Sequence, residues 1–280
     1  MRAKIGLVFS VIFCGFLLAG CFPDDIQPSY KEADIPVTIK KICREEFKLR
    51  VLPIRVGNTL WVYAPQPRLL HADFGKKPEK IFDEDLLDKA RNILTSISRV
   101  LLSSDKAPDF FVLVLSDINI GLDYSLTANI LDIKKSAAGM IPWNEANKRY
   151  VIGFEQSVDA KGDVRGEHLK VYDLKLAEFL SRLIVQRVRM FFQEEPIKKY
   201  FSLKDVNAGF RDKVFTFEYS TDKKLEPKEN PDIPRAILNS IVYCFKTYEF
   251  KDFARVKIRN LQGGAIVVYE SKDIQAISIE

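Results

Sequence analysis

Asp34-Ile35-Pro36-Val37-Thr38-Ile39 and Asp232-Ile233-Pro234-Arg235-Ala236-Ile237 stand near opposite ends of the chain and open the same pattern. An Asp ahead of an early Pro suits a helix start, since its carboxylate can accept the free N–H groups and Pro lacks one the first turn cannot use. After the first, Ile39, Ile42, Cys43 and Phe47 fall at helical spacing. Two β-type runs follow, Arg50 to Val56 and Thr59 to Ala64, around Gly57-Asn58, which predicts a hairpin. Pro53 cannot donate to a ladder and moves its strand toward an edge. After the second, Ile237, Ile241, Cys244, Phe245 and Tyr248 form the stripe, and strands at Arg255 to Arg259 and Ala265 to Glu270 flank a turn at Gly263-Gly264. The match has two readings: a divergent duplication giving two related helix-strand-strand units, or a chance coincidence in a common unit.

The material between them supplies most of the expected core. Asp83 to Ser103 carries Leu86, Leu87, Ala90, Ile93, Leu94, Ile97, Val100 and Leu101 on one stripe, the pattern of an amphipathic helix. A second long helix is predicted from Asp173 to about Gln193, with Arg182, Arg187 and Arg189 as its solvated face. Phe110 to Leu115 is apolar throughout and suits a strand buried on both faces. Arg149 to Phe154 and Val214 to Tyr219 add strands, while the Pro-rich stretches Pro67 to Pro78 and Leu225 to Pro231 read as surface loops. Helices interleaved with hairpins predict an α+β fold: a largely antiparallel sheet with packed amphipathic helices over residues 34–280, as one region or two halves meeting near 158–172.

Ahead of this lies Met1-Arg2-Ala3-Lys4, an apolar run from Ile5 to Leu18, and Leu18-Ala19-Gly20-Cys21. A basic start, a short apolar run and small residues have the form of a secretory signal, and the run is shorter than the roughly 20 residues that span a bilayer. Leu-Ala-Gly-Cys in this position resembles the lipobox of bacterial lipoproteins. The resemblance implies that residues 1–20 are a cleaved signal peptide and that Cys21 becomes the first residue, bearing a diacylglyceryl thioether and an N-acyl group. Residues 21–33, with Pro23 and Pro28 and no periodicity, read as a tether that reaches about 40 Å when extended. The protein is therefore expected to be exported and held at a bacterial membrane. Where the host has two membranes, the family's sorting rule reads Phe22 as directing it to the periplasmic face of the outer one.

Once the leader's Arg2 and Lys4 are set aside, the 43 basic residues fall to 41 against 38 acidic ones, a net charge of +3 that gives no nucleic-acid signal. Cys14 leaves with the leader and Cys21 takes the lipid, so Cys43 and Cys244 remain. In an oxidising compartment they either pair across the chain or lie as buried thiols.

The search for chemistry yields little. His71 and His168 are the only histidines, and neither falls in a two-histidine metal spacing. His71-Ala72-Asp73 is the one local acid-base pair, in a Pro-rich loop. No nucleophile elbow or phosphate-binding glycine loop is present, and the carboxylate clusters Glu45-Glu46 and Asp83-Glu84-Asp85 are accounted for by helix surface and by the favourable field at a helix N-terminus. No catalytic residue, metal or cofactor is expected. Arg255, Lys257 and Arg259 share one face of a strand and Trp61 and Tyr63 one face of another. Each set is either a contact surface, for acidic envelope groups and for a partner respectively, or ordinary sheet surface and core packing. The expected function is that of a non-enzymatic envelope lipoprotein, a binding or accessory module with a protein partner. The alternative is an anchored hydrolase of cell-wall or surface polymer, with acids assembled from distant positions.

Overall fold

The computed structural model describes residues 29–71, 81–226 and 231–278. The leader, the lipobox and the tether as far as Pro28 lie outside these, as do Ala72 and Asp73.

Within them the chain forms the expected α+β fold. Its first half runs α1 (Ile35–Phe47), β1 (Leu52–Val56), β2 (Thr59–Gln66), α2 (Glu84–Leu102), β3 (Phe110–Asp117), β4 (Leu122–Asn129), α3 (Ile130–Ala137), α4 (Trp143–Asn147) and β5 (Val151–Gln156). The second runs α5 (Leu176–Phe191), a single turn α6 (Ile197–Tyr200), β6 (Phe201–Arg211), β7 (Val214–Lys223), α7 (Ile233–Thr247), β8 (Arg255–Asn260), β9 (Ile266–Glu270) and α8 (Ser271–Ala276). A connector, residues 157–175, joins them. The sheets have the orders β1-β2-β3-β4-β5 and β6-β7-β8-β9. Both are mostly antiparallel, but β2 runs parallel to β3 and β7 to β8, because α2 and α7 carry the chain back across the sheet.

The two halves therefore share the sequence helix, hairpin, crossover helix, hairpin. In that comparison α1 corresponds to α5 and α2 to α7, so the Asp-Ile-Pro segments open helices that are not equivalent. Their starts differ too. Asp232 accepts the Arg235 N–H at 2.9 Å, whereas Asp34 closes a 3-10 turn and makes no side-chain cap. The repeat in the structure is longer than the match that suggested it and is set in a different register.

β3 holds the first half together. All of its residues are buried, and alternate side chains point to two apolar clusters. Phe111, Leu113 and Leu115 pack with α1 and α2, while Val112 and Val114 pack with Trp61 and Tyr63 on the opposite face. Phe110, at the strand's start, joins the core of the second half, with its ring 5.1 Å from that of Phe179 in α5. Burial of one such side chain is worth about 1.5–3 kcal/mol.

The stretch read as a tether is docked where it is described. Tyr30 donates to the Ser103 carbonyl and accepts from the Asp105 N–H, and Glu32 pairs with Arg55 at 2.7 Å. Residues 29–33 are thus docked beside the C-terminus of α2, where backbone pairing supplies what side-chain periodicity does not show.

Candidate functional site

An apolar groove of about 920 Å³ opens between α2 and α3 on one face of the five-stranded sheet. Leu87, Ala90 and Leu94 of α2 form one wall, and Ile133 and Ala137 of α3 the other. Leu113 and Leu115 of β3, Tyr124 and Leu126 of β4 and Ile152 of β5 make its floor. Their register fixes this: Tyr124 stands opposite Leu115 and Leu126 opposite both Leu113 and Ile152, so all five share a face. Leu87 and Leu102 of α2 and Ile152 of β5 are 48%, 42% and 43% exposed. Exposed leucines and isoleucines contiguous in a concave surface mark a binding site more often than scattered ones do.

The polar groups around the groove are few. Among the described residues Arg91 and Arg99 are its only charged lining residues, and Thr95 and Ser98 lie between them on α2. Arg91 pairs with Asp88 at 2.9 Å and Arg99 with Glu46 at 2.6 Å, with all four side chains largely exposed. The β5 edge beside the groove is partly closed, since the Gln186 side chain accepts the Ile152 N–H at 2.7 Å and donates to the Tyr150 carbonyl. Arg99 and Leu94 were visible in the sequence only as helix positions. The groove is made by residues of α2, α3 and three strands that meet only in the fold, and local periodicity carries no such signal.

The opposite face of the same sheet is covered by the connector. Asp163 gathers its own loop, accepting the backbone N–H groups of Arg165, Gly166 and His168 at 2.8, 2.8 and 3.0 Å. His168 lies between two carboxylates, with Nδ1 2.5 Å from Asp163 and Nε2 2.9 Å from Asp123 of β4. Burial alone would lower the imidazole pKa, but the two carboxylates outweigh it and raise it. Burial likewise pushes the Asp163 carboxyl up, and the hydrogen bonds from His168 and the loop amides overcome that to hold it at about 2. A cleft of about 550 Å³ beside them is lined by Asp123, Glu155, Asp159 and His168 among others. Both imidazole nitrogens are engaged by Asp side chains, so the ring ties the connector to β4. Spacing could not have found it, because Asp123 and His168 meet only through the fold.

This connector corrects the reading of Trp61 and Tyr63 as a contact surface. Their rings are 8% and 2% exposed. Trp61 Nε1 donates to the Tyr172 carbonyl at 2.9 Å, the Tyr63 hydroxyl donates to the Asp163 carbonyl, and Leu169 and Val171 complete the cover. Gly166 makes the close approach, with φ +72° and a virtual Cβ 2.9 Å from the Tyr63 ring.

The other sequence candidates fall as follows. Cys43 and Cys244 are free thiols, each buried in a different core, so the disulfide is not formed. Burial pushes the Cys244 thiol up to about 12. Arg255, Lys257 and Arg259 do share the outer face of β8, and two of them are neutralised there, Arg255 by Glu270 at 3.0 Å and Arg259 by Glu218 at 3.3 Å. Arg187 is not on a solvated face: its guanidinium lies 4.1 Å above the Tyr243 ring and pairs with Glu145 at 3.3 Å. His71 sits at the edge of the undescribed loop. Among the described residues no group of histidine, cysteine or carboxylate side chains is arranged to hold a metal ion.

The architecture defines an α+β protein of two αββαββ units with a solvent-open apolar groove on the first sheet. No family model matches the chain, and no curated protein or solved structure matches it.

Proposed function

We propose that this protein is an exported lipoprotein, anchored to a bacterial membrane through acylated Cys21, and that it acts without catalysis as a binding or accessory module whose binding surface is the α2–α3 groove. The observation that carries the binding role is the groove itself, an open apolar concavity with Leu87, Leu102 and Ile152 exposed in it and no acid among the described residues of its lining. Two further features support a non-catalytic reading. The one buried histidine is held by two carboxylates, and the cysteine thiols sit inside apolar cores where the nucleophilic thiolate is disfavoured. The anchor rests on Leu18-Ala19-Gly20-Cys21 and its flanks.

Expression with the native leader tests the anchor. The mature chain is expected to begin at Cys21, to carry the mass of two or three acyl chains and to sediment with membranes, and Cys21→Ala to leave them. Photocrosslinking in cells from a benzoylphenylalanine at Leu87 or Leu102 tests the surface. Discrete adducts from both positions, lost when Ala137→Trp fills the groove and not seen from an exposed site at Lys272, are the expected result.

A further inference from the structure

We propose that the groove binds a single-chain anionic amphiphile, with a long-chain fatty acid as the simplest case, its chain along the β3–β5 floor and its carboxylate at the Arg91–Arg99 rim. This rests on the binding-module reading above and names the ligand class. The volume of about 920 Å³ falls in the range of roughly 300–1,000 Å³ typical of small-ligand sites. The floor offers a long alkyl chain continuous aliphatic and aromatic contact and few polar groups that its entry would strand. The rim sets the sign of the head group. Among the described residues the only charged side chains in the lining are two arginines, eight residues and so about 12 Å apart along α2, with the hydroxyls of Thr95 and Ser98 between them. Their present partners, Asp88 and Glu46, are exposed, and ion pairs of that kind contribute little, so a ligand carboxylate can share or replace them at small cost. Guanidinium groups match carboxylates in geometry as well as charge.

The test uses the full chain in membranes of its expression host, probed with stearic acid bearing a mid-chain diazirine and with the matched alcohol. Acid adducts are expected on peptides of α2 and β5, reduced at least five-fold by Ala90→Trp and by Arg91→Ala combined with Arg99→Ala. The alcohol is expected to label less and to ignore the arginine substitutions. Ala137→Trp, at the exposed rim, serves as a second plug should Ala90→Trp disturb α2, and circular dichroism checks that each variant is folded. Equal labelling by acid and alcohol, or labelling indifferent to the arginines, overturns the anionic head group. Adducts outside the groove, or none, overturn the site. The intact mass of the same preparation separates the two proposals: a chain without lipid on Cys21 that still labels in the groove loses only the anchor, and a lipidated chain that does not label loses only this inference.

Discussion

His168 Nε2 lies 2.9 Å from Asp123 Oδ2, tying the connector between the two halves to the start of β4. With Asp163 on the other ring nitrogen, the contact is an ion pair only while the imidazole is protonated.

That fixes its pH dependence. The folded-state pKa of His168 is raised, so its stabilisation is complete below about 6.5, the unfolded value, and is lost as pH rises through the folded value. Asp163 behaves oppositely: its pKa is depressed, and its contribution is present above about 3.9 and lost as pH falls toward 2. His168→Gln is expected to cost about 3 kcal/mol at pH 6 and clearly less at pH 9. Urea melts of both proteins at the two pH values check this, and a cost independent of pH would show that the imidazole is neutral in the folded chain.

Gly166→Ala should loosen the same cover. The left-handed backbone and the Tyr63 ring both oppose a methyl group there, and a loss of about 2 kcal/mol is expected. Amide hydrogen exchange over 163–172 should rise more than exchange in α5 or α7, and uniform loosening would place the strain elsewhere.

Arg149 joins the halves. It contacts Asp132 at 2.9 Å and Glu145 at 3.1 Å, and reaches the Tyr243 hydroxyl of α7 at 3.1 Å. Tyr248 also bonds to Asp132, and Tyr243 to Glu145. Removing the guanidinium strands Asp132, which is 5% exposed, and Arg149→Met is expected to destabilise by about 3–5 kcal/mol. Calorimetry should show broadening or splitting of the unfolding transition. A single sharp transition at the wild-type midpoint would remove this network from the coupling of the two halves.

The thiols make a simpler case. With Cys43 and Cys244 in separate cores and both pKa values raised by burial, neither should react with iodoacetamide in the folded protein, and both should react in urea without prior reduction. Peptide mapping reads each site, and a requirement for reductant would reveal a disulfide.

Much of the local structure was legible in advance. The stripe of α2 and the unbroken run of β3 were read to within a few residues, because amphipathic period and continuous burial are local properties. β4 and β6 were missed. Asp123, Ser125 and Asn129 in the first, and Lys204, Asp205, Asn207 and Gly209 in the second, dilute a strand signal that only their partners make good. The candidate surfaces fared worse for a related reason. Trp61 and Tyr63 alternate as they would on a contact face, and their accessibility was settled by a connector about a hundred residues further along.

By itself the sequence determined α1, α2, α5 and α7, the hairpins around Gly57-Asn58 and Gly263-Gly264, and the α+β class, since capping, turn chemistry and periodicity act over a few residues. Tertiary structure alone decided the parallel pairings made by α2 and α7, the true register of the repeat, the His168 tie and the groove. Each depends on which apolar faces find a cover, and that follows from the lengths of crossing helices and from contacts between residues far apart in the chain.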